Sequence, residues 1–172
     1  MIELRPALVG LDRIAGQLDV TPMQVDRALR ITVNRMAAWV RRKSARALSS
    51  ELKVALDVLR YRMRTLRGGG AGSRKSTLWF GLNPLALKYL DPRAVGRGVK
   101  AGPLYVKGAF LAKGQVFKRR GAARLPIDQV VYPIQQKADR ALEGVIDSGE
   151  FERRFLDTFE RELYRIWNRA ST

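Results

Sequence analysis

Residues 68–77, GGGAGSRKST, come closest in type and spacing to a known binding chemistry, the recognition of nucleotide phosphates. A phosphate-binding P-loop has glycine immediately before its lysine, because the loop backbone must approach the phosphates closely. Here Arg74 precedes Lys75. The glycines also follow a predicted helix and precede a predicted strand, the reverse of the strand–loop–helix order of a P-loop. We therefore predict a flexible basic loop over residues 68–75 and no nucleotide site.

The carboxylates and other potential metal ligands are also poorly arranged for catalysis. The chain has no histidine and no cysteine, which excludes Ser–His–Asp triads, Cys–His nucleophiles, Cys/His zinc sites and disulfides. Magnesium-dependent enzymes need clustered carboxylates, but the basic middle section holds only Glu51, Asp57 and Asp91, at no ligand-like spacing. Asp128 is interpreted as a turn or helix-start residue. We expect no enzyme activity, no cofactor, and no catalytic, cofactor-binding or metal-binding residues.

The net charge of +17 is concentrated in one section of the chain. Residues 41–124 contain 21 of the 33 Lys and Arg residues but only three of the 16 acids, so this section carries all of the excess charge. Such self-repulsion is tolerated where counterions or a polyanionic partner offset it. Nucleic acid is the first candidate partner, an acidic protein surface is the second, and a merely solubilising charge is the third. The chain has neither a signal-peptide pattern nor a run of 18 apolar residues, so we expect a soluble protein without a membrane partner.

Helical periodicity dominates residues 1–67, after a short extended start. Thr21, Pro22 and Gln24 together form a helix-start pattern: an N-cap, a proline at the first helical position, and a glutamine three residues after the cap. The apolar stripe that follows predicts a helix to about Leu48. A second helix is predicted after a cap at Ser49 or Ser50. Its apolar residues recur every three or four positions, at Leu52, Ala55, Leu56, Leu59, Met63 and Leu66, opposite the cations Lys53, Arg60, Arg64 and Arg67.

Extended segments fill residues 76–132, and helices return over 133–169. Strands are predicted at 77–82, 85–90, 99–106 with an interruption at Gly102-Pro103, and 115–118. Trp79, Phe80 and Tyr89 are assigned to the core rather than to a base-stacking platform. The predicted fold class is α+β in a single domain, 1–172. It consists of an N-terminal helical part (1–67), the 68–75 loop, a small, mainly antiparallel β-sheet with a hairpin (76–132), and C-terminal helices (133–169).

A β-hairpin within residues 105–134 is the most specific feature of the chain. A Lys113-Gly114 turn precedes an apolar run, Gly108 permits a left-handed backbone, and Pro126 belongs at a sheet edge or a strand start. This order resembles the minor tail protein Z family of lambda-like phages and prophages, in which a hairpin of pattern xGAFI…(N/K)G-x-(V/W)…R…(Y/L)PI-(D/x)-x-(V/I) lies at the same place in chains of similar length. The matching positions are Gly108, Ala109, Phe110, Gly114, Val116, Pro126, Ile127 and Val130.

The resemblance implies a structural virion protein, a tail completion or minor tail protein at the head-proximal end of a long phage tail. Such a protein is expected to form a ring in the neck that supports head–tail joining and DNA passage, and the symmetry of the tail implies a homo-hexamer. The implied partners are further copies of the chain, tail terminator or tail-tube proteins, head-completion or neck proteins, and genomic DNA bound without sequence preference. No membrane and no small-molecule substrate are expected. The implied location is the virion tail or neck, with assembly in the host cytoplasm.

The competing class, which the charge favours equally, is a free-standing, sequence-independent nucleic-acid-binding protein. In a ring, the basic turns and helix ends would either attract passing DNA across a positive lumen or dock an acidic neighbouring ring, and the sequence leaves both open. The residues predicted to make these contacts are Arg41, Arg42, Lys43, Arg46, Arg74, Lys75, Lys118, Arg119, Arg120 and Arg124.

Overall fold

The computed structural model of the chain describes residues 2–4, 11–16, 18–67, 74–147 and 149–170. Most of the predicted 68–75 loop, residues 68–73, therefore lies outside the described residues. The helices are α1 (Leu11–Gly16), α2 (Pro22–Leu52), α3 (Leu56–Arg60), α4 (Gln135–Ile146) and α5 (Glu150–Ala170). The strands are β1 (Ile2–Leu4), β2 (Met63–Arg67), β3 (Ser76–Phe80), β4 (Leu85–Ala86), β5 (Arg93–Val95), β6 (Gly98–Ala101), β7 (Leu104–Lys107), β8 (Ala109–Ala112), β9 (Gln115–Arg119), β10 (Ile127–Gln129) and β11 (Val131–Tyr132).

Helices near both ends and small antiparallel sheets confirm the predicted α+β class. By its internal contacts the chain divides into two compact units. Unit 1 comprises Met1–Ser44, Met63–Phe80 and Glu143–Thr172, and unit 2 comprises Ala45–Arg62 and Gly81–Leu142. Both units are built from separated chain segments, so their limits do not follow the four consecutive parts assigned from the sequence. The single-domain assignment stays a prediction.

The start of α2 has the hydrogen bonds that its sequence predicts. The Thr21 backbone N–H donates to Gln24 Oε1 at 2.7 Å, and the Gln24 backbone N–H donates to Thr21 Oγ1 at 3.3 Å. This reciprocal capping box satisfies backbone donors that a helix start would otherwise leave unpaired. The predicted helix start is therefore confirmed.

The predicted end of this helix at Leu48 is wrong, because α2 continues to Leu52. Leu48 and Leu52 are both buried, so the apolar face of the helix extends one turn further than expected. Ser49 does not cap a following helix; its hydroxyl donates to the Val54 carbonyl at 2.7 Å beyond the end of α2. Lys53 then takes a left-handed backbone conformation, with φ of 55°, which ends the helix.

The second N-terminal helix predicted over residues 52–66 is also wrong. Its helical part is only the five residues of α3, and Met63–Arg67 forms strand β2. This strand pairs antiparallel with β3 along its whole length, from Met63 opposite Phe80 to Arg67 opposite Ser76. The spacing of apolar residues within this segment cannot show that β3 pairs with every residue of β2. Because the segment is a strand, the predicted row of basic residues on one helical face does not form.

The three-stranded sheet of unit 1, in the order β1-β3-β2, corrects the placement of Trp79. Successive side chains of a strand point to opposite faces of the sheet. Ser76, Leu78 and Phe80 are buried on one face of β3, whereas Trp79 is 42% exposed on the other. The core assignment is therefore confirmed for Phe80 and wrong for Trp79. It is also wrong for Tyr89, which is 43% exposed in unit 2.

The core of unit 1 otherwise draws on one face of each long helix. Buried residues at helical spacing on α2 include Leu29, Val33, Met36 and Val40, and α5 contributes a matching buried stripe. That stripe contains Phe155, Phe159, Leu163 and Ile166. Both stripes follow the three- and four-residue spacing that places side chains on one side of a helix.

Unit 2 contains three small antiparallel sheets, in the orders β5-β6-β7, β10-β9-β8 and β11-β4. The strand predicted over residues 85–90 is wrong in its second half, because β4 has two residues and a 3₁₀ helix follows at Leu87–Leu90. The buried side chains of Leu87 and Leu90 anchor that turn, and Asp91 ends it with φ of 48°. At Gly98 a side chain is excluded, since a Cβ would lie 2.5 Å from the Val106 carbonyl oxygen on the neighbouring strand. In the described residues no helix is both long and apolar enough to cross a membrane.

Candidate charged interface

The cationic residues predicted to contact DNA or a neighbouring ring do not all belong to one unit. Each is exposed except Lys43, which is half-buried. Unit 1 contains Arg41, Arg42, Lys43, Arg74 and Lys75, and unit 2 contains Arg46, Lys118, Arg119, Arg120 and Arg124. Arg46 follows Arg42 by four residues on α2, so the division between the units crosses this helix.

The cations on α2 in unit 1 serve different roles, because successive residues of a helix are about 100° apart around its axis. Arg41 Nη2 lies 3.5 Å from the Met63 carbonyl oxygen, a long hydrogen bond. Lys43 forms an ion pair with Glu150 and lies over the Trp39 ring, with Nζ 5.3 Å from the centroid. The Arg42 side chain has no hydrogen bond or ion pair to the described residues. Of these three cations, Arg42 alone makes no such contact with the described residues, and Lys43 alone is paired with an acid.

Arg74, before β3, is already paired within the protein. Its Nε lies 2.6 Å from Asp26 Oδ1, and Arg30 Nε lies 3.1 Å from the other carboxylate oxygen. Because Asp26 offsets much of its charge, Arg74 is a weaker candidate for an external contact than the sequence suggested. Lys75, the next residue, is exposed.

The hairpin of unit 2 has the turn predicted from the sequence. Strands β8 and β9 pair antiparallel from Ala109 opposite Lys118 to Ala112 opposite Gln115. The two turn residues, Lys113 and Gly114, both have positive φ, at 48° and 72°. This is the backbone sign that two-residue hairpin turns of type I′ require at both central positions. Gly108, with φ of 76°, makes the bend before β8.

The eight residues of the hairpin motif are brought together in and around the sheet β10-β9-β8. Ala109 and Val116 are buried within it. The Val130 backbone N–H donates to the Val116 carbonyl at 2.8 Å and so continues the pairing beyond β10. Pro126 precedes β10, which lies at the edge of the sheet, as the sequence predicted. The remaining members, Gly108, Phe110, Gly114 and Ile127, lie at the bend, on β8, in the turn and on β10.

An exposed basic loop, residues 118–127, comprises the end of β9, the connection to β10 and the first residue of β10. One cation in it is fixed. The Arg120 guanidinium donates to both carboxylate oxygens of Asp128, from Nε at 2.7 Å and from Nη2 at 3.0 Å. Asp128 is therefore a strand residue that holds this loop, and its assignment to a turn or helix start is wrong. Arg119 lies over the Phe110 ring at 5.6 Å, while the side chains of Lys118 and Arg124 have no hydrogen-bond or ion-pair partner among the described residues.

The Arg120–Asp128 pair makes a pH-dependent prediction. Hydrogen bonds from Arg120 hold the pKa of the Asp128 carboxyl below its ordinary value, and the same bonds raise the pKa of Arg120. A carboxyl whose folded-state pKa is depressed stabilises the fold above its unfolded-state pKa, and this contribution disappears as the pH falls through the folded-state pKa. We expect Arg120→Gln to raise the pKa of Asp128 toward that of a free aspartate, measured by NMR titration of the carboxyl carbon. Arg97→Gln, which removes an exposed cation elsewhere in unit 2, serves as the control, and an unchanged pKa in Arg120→Gln would contradict the assignment.

Three cations near α2 were not selected from the sequence. Arg35, Arg154 and Arg161 line a cavity of about 250 Å³ in unit 1 together with the selected residue Arg42. The sequence contains an indication of this cluster in the spacing of its arginines. Arg35 and Arg42 are seven residues apart on α2, and Arg154 and Arg161 are seven residues apart on α5. Residues at that spacing share one face of a helix. The missing information was that these two faces meet.

Within the described residues no group of three or more acidic side chains is close enough to hold a metal ion. Comparison of the chain with protein-family models, with curated proteins and with solved structures finds no match.

Proposed function

We propose that this chain is a structural virion protein, a tail completion protein at the head-proximal end of a long phage tail. In this proposal, copies of the chain form a ring in the neck, with six subunits to match the tail. The ring contacts tail terminator or tail-tube proteins on one side and head-completion or neck proteins on the other, and genomic DNA passes through it. The chain acts by assembly, with no catalytic step.

The observation that carries the proposal is the hairpin of residues 105–134. The residues that resemble the minor tail protein Z pattern are scattered over 23 positions, from Gly108 to Val130, yet they lie in and around one three-stranded sheet. The glycines of the pattern occupy positions with positive φ, where other residues are strained. The motif is thus physically coherent: it specifies this bend, this turn and this strand pairing.

The surface of the hairpin is suited to contacts between proteins. Leu111, Ile127 and Val131 are each 39–43% exposed, and Leu125 is 67% exposed. Leu125 lies in the same exposed connection as Arg124, and Ile127 lies opposite Arg119 on the neighbouring strand. Exposed apolar side chains next to charged ones are a usual composition of a protein–protein interface. The edge strand β10 adds backbone groups that a neighbouring chain can pair with.

A second function, sequence-independent nucleic-acid binding by the free protein, is favoured by the unpaired cations of the same loop. Lys118 and Arg124 have no acidic partner among the described residues, so their charges are available to phosphates. Contacts of this kind neutralise the nucleic-acid backbone and release counterions, which makes binding fall steeply as salt is raised. They carry no sequence information.

An assembly experiment tests the proposal and separates the two functions. The full chain is purified, its mass is determined in solution, and it is mixed with phage tail tubes that lack a completion protein. The proposal predicts a ring-sized oligomer, or ring formation on the tube end, seen by negative-stain electron microscopy. A protein that stays monomeric and never binds tubes or neck proteins would contradict it. Tight binding to unrelated DNA that persists at physiological salt, without attachment to particles, would support the second function instead.

A further inference from the structure

The cavity of about 250 Å³ in unit 1 has a lining with an unusual charge. Arg35 and Arg42 of α2 and Arg154 and Arg161 of α5 surround it, and Trp39 and Thr158 form part of its floor. Among the described residues that line it there is no acid. Four positive charges around one cavity repel each other, and this repulsion destabilises the fold. A bound anion would reduce the repulsion.

Acidic side chains of the protein neutralise only part of this positive charge. Arg35 Nη1 lies 2.5 Å from Glu162 Oε1, and Arg165 Nη2 lies 2.7 Å from the other carboxylate oxygen, so two arginines already share Glu162. That carboxylate is buried, at 3% exposure, and is fully engaged by this pairing. Glu150 is likewise engaged by Lys43. Neither acid is available to offset the other cavity arginines.

The remaining arginines are positioned with donors to spare. Arg161 donates from Nε to the Asp157 carbonyl at 3.1 Å, and Arg154 stacks over Trp39 at 5.5 Å. Arg42 has no side-chain partner among the described residues. A guanidinium has five N–H donors in a planar fork, so each of these residues retains donors for an oxyanion.

The floor of the cavity makes such contacts stronger than those of an open surface. Trp39 is 9% exposed, Met36 is 1% exposed and Thr158 is 6% exposed. Charged hydrogen bonds above a buried floor experience less screening by water than bonds made in bulk solvent. The rim, by contrast, is formed by exposed arginines that an approaching ligand can reach.

We propose that this cavity is a phosphate-binding site. A phosphate group offers three or more acceptor oxygens and up to two negative charges, which matches several guanidinium forks better than the two oxygens of a single carboxylate. The cavity is smaller than the roughly 300–1,000 Å³ of pockets that enclose drug-sized ligands, so it accepts the phosphate and not the remainder of a larger molecule. Base stacking is not part of the site, because Lys43 and Arg154 both pack on Trp39. The phosphate belongs either to a small free phosphate compound or to a nucleic-acid backbone. This site does not depend on the proposed role in tail completion.

Two matched double variants of the full chain test the proposal, with inorganic phosphate as the probe. Arg42→Gln with Arg161→Gln removes two cavity charges whose side chains hold no acid of the protein. Arg27→Gln with Arg169→Gln removes two exposed charges from the same two helices, outside the cavity lining. Both variants change the net charge equally, so a difference between them reports the site and not general attraction. Circular dichroism and thermal melting establish that each variant is folded.

Isothermal titration with phosphate, at constant ionic strength in chloride, gives the affinities. We expect saturable binding at one site in the unchanged protein, and a loss of about tenfold or more in the cavity variant, because two charge-assisted contacts disappear. The control variant retains its affinity to within about twofold, since screened charges outside the site contribute little. If the cavity double variant does not fold, Arg42→Gln alone and Arg42→Lys replace it. Lysine keeps the charge but loses the fork, so its affinity should fall between those of the unchanged protein and Arg42→Gln.

Competition identifies the source of the phosphate. Displacement of inorganic phosphate by a short oligonucleotide without terminal phosphates assigns the site to the nucleic-acid backbone. Displacement only by a 5′-phosphorylated oligonucleotide or by pyrophosphate assigns it to a terminal or free phosphate. The proposal is overturned if the unchanged protein does not bind phosphate, or if both double variants lose affinity equally. It is also overturned if a glutamate-rich peptide binds the cavity in preference to every phosphate compound, since the site would then recognise protein.

Discussion

Replacing Lys118, Arg119 and Arg124 together by glutamate is expected to reduce the yield of infectious particles by about a hundredfold or more, because each reversal sets a negative charge against a partner selected for a positive surface. All three residues are exposed: Lys118 and Arg119 are the last two residues of β9, and Arg124 lies in the connection to β10. None of them has an ion-pair partner among the described residues, and Arg120 with its partner Asp128 is kept. Lys118 lies opposite Asp128 in the strand pairing, so circular dichroism first establishes that the variant is folded. In a folded variant the effect arises in assembly or in DNA handling.

The stage at which this variant fails separates two roles of the loop. If the loop faces the lumen of a ring, particles assemble but retain or eject their DNA poorly, because phosphates are no longer attracted to the inner wall. If it docks on an acidic neighbouring ring, tails never join heads. Electron microscopy of lysates, together with a DNA-protection assay, distinguishes these outcomes. A normal yield of infectious particles would contradict both roles.

The choice of residues in this variant follows from the Arg120–Asp128 pair. Glutamate at position 120 would face Asp128, and the loop would lose its internal tie along with its charge. Leaving Arg120 unchanged keeps its ion pair with Asp128. A triple variant with Arg27, Arg153 and Arg169 replaced by glutamate provides the control, since these exposed residues of unit 1 give the same change in net charge. A similar loss of yield in both variants would show that total charge, and not this loop, is responsible.

The parts of the fold that the sequence predicted are those determined by local chemistry. The Thr21 capping box and the apolar stripe of α2 lie within a few residues of each other, so hydrogen bonding and periodicity identify them directly. The Lys113-Gly114 turn is similar, because two adjacent residues of positive φ select the hairpin. The helices after Tyr132 are likewise predicted from their own period.

The errors occur where distant residues decide the structure. Leu59, Met63 and Leu66 recur at helical spacing, yet Met63 and Leu66 belong to a strand because β3 pairs with β2. A short apolar run fits both the helical and the strand period, so only the presence of a partner strand decides which of the two structures forms. Ser49 resembles an N-cap in sequence, but Val54, five residues later, accepts its hydroxyl hydrogen bond.

The candidate sites differ in the same way. The basic loop of the hairpin is continuous in sequence and was predicted from it. The sequence predicts Arg74 as a contact to DNA or to a neighbouring ring, but Asp26, 48 residues away, forms an ion pair with it. The arginine cavity requires α2 and α5 to lie side by side, which the spacing within either helix cannot indicate. The sequence thus identifies charges that are adjacent in the chain. It does not show which charges an ion pair neutralises in the fold, as at Arg74, or which charges the fold brings together, as in the arginine cavity.

The largest expected loss of stability follows from Phe159→Ala in α5. The Phe159 side chain is completely buried, with 0% exposure, between the buried positions Phe155 and Leu163 of the same helical stripe. Truncation loses the transfer free energy of the ring and leaves a cavity that the neighbouring side chains fill only in part, so we expect a decrease of about 3–5 kcal/mol in the free energy of unfolding. Natural domains are stable by only about 5–15 kcal/mol, so this substitution removes a large fraction of the total.

Urea denaturation followed by circular dichroism measures this loss, and Tyr164→Ala is the matched control. Tyr164 is an aromatic residue of the same helix but is 39% exposed, so its truncation loses much less burial. Alanine is also the better helix former, which offsets part of what is lost. We expect the control to change the free energy of unfolding by less than about 1 kcal/mol. Equal effects of the two substitutions would mean that the aromatic stripe of α5 does not face the core of unit 1. The buried pairing of Glu162 with Arg35 and Arg165, on the same helix, would then have to be reassigned as well, because it requires the same orientation of α5.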